Sequence, residues 1–286
     1  MKFYLYYRTY WGDPNGPGWL GRNILAQSKM ELIQVCIKSM ELEKCDIYSY
    51  AFVDNSNAKY TEFISKKFNE VILTNEGKDI SDNIGGWPIY GGTGSLMRLM
   101  EFMLQNNHKD DDVILLVEDD YLFLPGALEK WITAVQYFNG FVFPMDHPDR
   151  YIRNDDYYAK KTEIHIVSNH HWRQVEAATS VMGAKYKLFR KTFFLRKIPR
   201  LFFFGMYPGR LLGKELPGVD RVINRRAHYL MGINVYSPIP GIACHLSKFF
   251  PPPVKNLKPG MKLPETQLSY GVDWEARYKE MLATLQ

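Results

Sequence analysis

The chain has 286 residues and a mass of 33.4 kDa, with 46% hydrophobic and 23% charged residues; this composition excludes intrinsic disorder, collagen and coiled coil, and the length permits a core that needs neither disulfides nor a structural metal. Thirty-six Lys and Arg against 31 Asp and Glu leave a net charge of +5, a mild surplus that favours anionic ligands without the clustered basic motif of a nucleic-acid-binding protein. Cys36, Cys45 and Cys244 form no CxxC pair and point to a reducing compartment, residues 1–10 (MKFYLYYRTY) lack the apolar core of a secretion signal, and no run approaches the roughly 18 apolar residues that cross a bilayer, so the expectation is a soluble, cytoplasmic protein.

Residues 3–7 (FYLYY) predict a buried strand that runs into the turn-rich GDPNGPGWLG of 12–21. Met30, Ile33, Ile37, Met40 and Leu42 recur near helical spacing and predict a helix over 26–43. A second strand, IYSYAFV of 47–53, ends at Asp54; 59–68 reads as helix, 70–73 as strand, and 95–105 (SLMRLMEFMLQ) as a helix opened by the GGTG of 91–94. The apolar run VILLV of 113–117 predicts a strand buried on both faces of a parallel sheet. Strands and helices alternating at this pace predict an α/β fold, a doubly wound, mostly parallel sheet with helices on both faces, which binds ligands beyond the carboxyl ends of its strands. Past 143 the pattern is less regular, and 251–286 reads as a proline-rich loop followed by a short helix near 274–285.

VILLVEDDYLFLPGALEKW, 113–131, places three adjacent acids directly after the apolar strand. An uncompensated buried carboxylate is expensive, so the acids are not there for packing. Glu118 and Asp120 share one face if the extended geometry persists, and can then hold a single hard cation whose open positions take diphosphate oxygens. Alternatively, the acids form an exposed turn or cap the helix that begins at Pro125.

This segment resembles the acidic D-x-D-type motif of nucleotide-sugar glycosyltransferases of the GT-A fold, in an E-D-D version similar to that of N-acetylglucosaminyltransferase I and its relatives. The aromatic first strand, the acid after the second strand (VDNS, Asp54) and the acids closing the fourth follow the order of that fold. The resemblance implies one GT-A domain over 1–250, with 1–143 as the nucleotide-sugar-binding half and 144–250 as the acceptor half. It implies that Asp54 contacts the nucleoside, an ordinary Asx turn being the alternative. Segment 216–245 (LPGVDRVINRRAHYLMGINVYSPIPGIACH) is similar to the acceptor side of inverting members: an acid opens a helix (Asp220), a glycine ends it (Gly232), a strand follows and a histidine completes the metal site (His245). Where the usual pattern has Glu-Asp, this chain has Val219-Asp220.

The implied divalent ion, Mn2+ first and Mg2+ second, is held by Asp120, Glu118 and His245, with Glu118 and Asp119 also facing the nucleotide sugar. Asp220 is the catalytic base or a helix N-cap, and His245 is a ligand or a packed loop histidine. Arg8, Arg22 and Arg98 contact phosphate or are surface charges. The stretch 170–190 supplies acceptor contacts, Trp172 stacking on a pyranose and Glu176 and Thr179 meeting hydroxyls; His170-His171 lacks the second ligand pair that zinc would need. Residues 190–205 (RKTFFLRKIPRLFFFG) lie on an anionic membrane surface or form a core helix with snorkelling Lys and Arg. The expected function is transfer of a sugar from a nucleoside-diphosphate sugar to a glycan or lipid-linked acceptor, with inversion. One alternative is a sugar-phosphate nucleotidyltransferase, which would want a glycine-rich, Arg/Lys-bearing loop after the first strand. The other is a non-catalytic carbohydrate-binding protein, in which the acids would be lost.

Overall fold

The computed structural model describes residues 1–10, 25–54, 56–74, 83–84, 87–88, 92–146, 163–175, 181–197, 227–246 and 272–285. The strands are β1 (Phe3–Tyr10), β2 (Tyr48–Asp54), β3 (Glu70–Thr74), the two-residue pair β4 (Asn83–Ile84) and β5 (Trp87–Pro88), β6 (Val113–Glu118), β7 (Tyr121–Phe123), β8 (Gly140–Val142), β9 (Ile164–Val167), β10 (His170–Val175), β11 (Met182–Lys185), β12 (Asn234–Ile239) and β13 (Ala243–His245). The helices are α1 (Lys29–Met40), α2 (Ala58–Ser65), α3 (Gly92–Gln105), α4 (Ala127–Tyr137), α5 (Tyr186–Lys197) and α6 (Trp274–Ala283).

The nine-stranded sheet has the order β3-β2-β1-β6-β11-β8-β12-β10-β9. Parallel pairing joins β3, β2, β1 and β6, and again β8 and β12. Antiparallel β11 is wedged between β6 and β8, and antiparallel β10 and β9 extend the far side. Seven of the nine strands, all but β10 and β11, therefore deliver their carboxyl ends to one edge, as the doubly wound reading requires. The sheet's antiparallel pairings are those of β9, β10 and β11, strands of the second half, where the sequence past 143 is less regular, and they leave the sheet mostly parallel.

Both faces of the sheet are covered because successive residues of β1 point to opposite sides. Tyr6 meets Phe102 of α3 at 6.4 Å between ring centroids, whereas Thr9 bonds Tyr60 of α2. Val113 to Val117 is buried throughout, the outcome expected of an apolar run flanked by strands on both sides. Helix α1 is shorter than its periodicity suggests. Ser28 caps it, its Oγ accepting from Glu31 N at 3.1 Å in a Ser-x-x-Glu box, and Glu41, at φ 52, ends it. A second apolar cluster lies beyond the main core: Leu32, Val35 and Cys36 of α1 pack with Leu122 of β7, Cys244, Leu246 and Trp274, Tyr278 and Met281 of α6.

Candidate active site

The three acids part company because β6 stops at Glu118 and Asp119-Asp120 form a turn into β7. The extended geometry that would have put Glu118 and Asp120 on one face does not continue. Glu118 stands opposite Arg8 in register and forms an ion pair with it. Asp119 is buried, and its Oδ2 accepts from Thr9 Oγ1 at 2.6 Å and from Lys29 Nζ at 2.7 Å. Lys29 reaches this position because the Ser28 cap starts α1 there, so the first helical residue faces the strand ends.

Asp120 meets His245, which lies 125 residues further on, at 2.7 Å between Oδ2 and Nε2. The antiparallel pair β7/β13 makes the contact, setting His245 opposite Tyr121 with the two rings stacked at 5.0 Å. Leu246 N also donates to the Asp120 backbone carbonyl at 2.8 Å, extending the pairing of β7 with β13 by one bond. Burial alone would push the Asp120 carboxyl up; the His245 charge and hydrogen bond, with Lys29, outweigh it and hold the group below its ordinary value. Burial likewise pulls His245 down, but the Asp120 charge and hydrogen bond, with Asp119, hold the imidazole above its usual range. The result is an imidazole and a carboxylate paired at the carboxyl edge of the central strands, each favouring the charged form of the other.

Asp54 closes β2 on the same edge, buried and opposite Thr74 of β3. Beside it a groove of about 630 Å³ is lined by Ser56, Asn57, Thr61, Glu62 and Thr74. Arg98 is exposed on α3 and reaches Glu101 of its own helix at 3.4 Å. Trp172 must be corrected: it is 0% exposed, packed against Phe138 and donating Nε1–H to Val167 O at 3.3 Å, so no ring face is open to a pyranose. The helical turn before Gly232 ends as expected, with Gly232 at φ 64 and Gly232 N bonded to His228 O at 2.8 Å. Asp220, Glu176, Thr179 and Arg22 lie outside the described residues. So do residues 198–205; within 190–197, Thr192 and Leu195 are buried and Arg190 pairs with Asp110 at 2.8 Å, as in a helix packed on the core. No helix among the described residues is long and apolar enough to cross a membrane.

Two participants were not anticipated. Lys29 carried a local signal in the Ser28-x-x-Glu31 box, which fixes the start of α1. The pair Arg173–Asp146, 2.6 Å apart, carried none, because Arg173 of β10 and Asp146 of the segment after β8 lie 27 residues apart in the chain.

The expected ion-binding set is reduced in turn. Among the described residues no group of three or more potential ligands converges, and Glu118 is turned to Arg8. Asp120 and His245 nevertheless fit a divalent ion of intermediate hardness: one oxygen and one nitrogen donor are adjacent, and Asp120 Oδ1 is buried without accepting a hydrogen bond from another described residue.

No family model and no curated protein matches the sequence. Among solved structures, the chain is similar to a 4-diphosphocytidyl-2C-methyl-D-erythritol synthase, with a TM-score of 0.37 and 12% identity over 68% of this chain and 79% of that one. A nucleotidyl transferase from Methanothermobacter thermautotroptrophicus gives a TM-score of 0.42 and 10% identity over 82% and 86%. A 4-diphosphocytidyl-2C-methyl-D-erythritol synthase from Anaerococcus prevotii gives 0.41 and 9% over 81% and 83%. At these scores the likeness does not extend to a function.

Proposed function

We propose that this chain is a metal-dependent transferase acting on a nucleoside-diphosphate sugar, which moves the sugar to a glycan or lipid-linked acceptor. The observation that carries the reading is the 2.7 Å contact between Asp120 and His245 at the carboxyl edge of β6, where two distant chain segments bring a half-buried carboxylate and an imidazole together. Asp120 and His245 would hold Mn2+ or Mg2+, which when bound offsets the charge that builds on a leaving diphosphate. Asp119 is taken up by Lys29 and Thr9, and we assign it to holding the strand ends rather than to the nucleotide. Asp54 and the adjoining hydroxyl-lined groove are suited to a nucleoside, whose polar edges need donors and acceptors. Asp220 is assigned as the base that takes the acceptor hydroxyl proton in an inverting displacement.

The second reading is nucleotidyl transfer to a sugar phosphate, the alternative closer to what the solved structures above are, a diphosphocytidyl-methylerythritol synthase and a nucleotidyl transferase. It uses the same edge and a metal ion, and its distinguishing element, the loop after β1, lies outside the described residues. The two reactions release different phosphates. Incubation with a panel of nucleoside-diphosphate sugars and acceptors, followed by 31P NMR, yields nucleoside diphosphate under the first reading. Nucleoside triphosphate with a sugar 1-phosphate yields pyrophosphate under the second.

A further inference from the structure

Among the described residues β7 pairs with β13 alone, so the outer edge of β7 has no strand to receive its backbone groups. At Phe123 both groups are met by side chains from distant elements. Its N–H donates to Ser39 Oγ of α1 at 3.0 Å, and its carbonyl accepts from Arg277 Nε of α6 at 3.0 Å. Buried backbone groups need such partners, and without them the ribbon would be costly to hold in place. Phe123 lies three residues after Asp120 and opposite Ala243, two residues before His245.

Arg277 is only 5% exposed. Its fork reaches Glu280 at 2.9 Å and lies 3.9 Å from Glu41, the residue that ends α1. A planar, permanently charged guanidinium joins a strand carbonyl, a helix end and its own helix in one fixed geometry, which a lysine does not reproduce. Around it, Trp274, Tyr278 and Met281 of α6 cover α1 and the β7/β13 ribbon, and Tyr278 donates its hydroxyl to Glu31 at 2.6 Å. The C-terminal helix thus braces the back of the ribbon whose front carries Asp120 and His245.

We propose that Arg277 is a positioning residue for the Asp120–His245 pair, holding β7 against β13 so that the imidazole stays on the carboxylate. The effect on ion binding rests on the function proposed above; the effect on the hydrogen bond does not. Two readouts therefore apply: the Mn2+ dissociation constant, from the EPR signal of free Mn2+, and the downfield NMR resonance of the proton shared by His245 Nε2 and Asp120. Arg277→Met is expected to weaken Mn2+ binding by about 10–100-fold, the usual effect of losing an outer support of a ligand, and to abolish the shared-proton resonance while the far-UV spectrum stays folded. Arg277→Lys is expected to be intermediate and Glu280→Gln to match the wild type. Wild-type affinity and an intact resonance in Arg277→Met would overturn the proposal. If Arg277→Met does not fold, Arg277→Lys decides it: a reduced resonance upholds the proposal and a wild-type one overturns it. If the wild type binds no Mn2+, the ion-binding reading falls and the resonance alone decides the role of Arg277 in the same way.

Discussion

Lys29 and Asp119 are two opposite charges almost stripped of water, 2.7 Å apart beneath the strand ends. Removing one partner of such a pair leaves the other buried and uncompensated, which usually costs about 3–5 kcal/mol. Lys29→Met should therefore lower the unfolding free energy by about 3 kcal/mol in urea titration; a loss below about 1 kcal/mol, the worth of a surface pair, would contradict the buried role. His108 gives a prediction about pH. Burial holds its imidazole below the ordinary 6.5, against the pull of Asp112, while Nε2 contacts Tyr6 Oη at 2.6 Å. The unfolded chain then binds more protons than the folded one as pH falls below 6.5, so stability is lost on acidification. His108→Gln should flatten the fall in thermal midpoint between about pH 7 and 5.5, and an unchanged slope would exclude His108 as the source. At this scale the sequence was partly legible: the acids stood out because they follow an apolar strand. That Glu118 and Asp120 separate was not legible, because it depends on the strand ending at Glu118, which no local pattern marks.

At the scale of elements, antiparallel β11 fits between β6 and β8 through Gly183. A Cβ there would lie 2.7 Å from Leu115 Cδ2, 2.8 Å from Val135 Cγ2 and 2.9 Å from Trp131 Nε1. Gly183→Ala must push α4 off the sheet, and overpacking of this kind costs about 1–3 kcal/mol. Its thermal midpoint should drop by several degrees; an unchanged midpoint would mean that α4 is less tightly seated than these contacts require. Strands β1, β2, β3 and β6 were readable from short-range pattern alone, since each is an apolar or aromatic run between turns. Trp172 was not, because its burial depends on β10 pairing with β12, which begins 62 positions later, and on Phe138 from another element. The same limit applies to Arg277, whose carbonyl partner is 154 positions away.

For the whole molecule, a largely parallel sheet gathers the carboxyl ends of seven strands on one edge, and long-range pairing there turns separate acids into distinct parts. Asp119 secures the strand ends, Asp120 and His245 form the candidate ion site, and Asp54 stands opposite Thr74, which lines the groove. The central claim is that this edge binds a nucleoside-diphosphate sugar through a metal ion on Asp120. Its most direct test is calorimetric titration of wild type and Asp120→Asn with nucleoside diphosphates, with and without Mn2+. The account predicts Mn2+-dependent binding to the wild type, lost in Asp120→Asn while its far-UV spectrum stays folded; binding that is the same in both proteins, or indifferent to Mn2+, would contradict it.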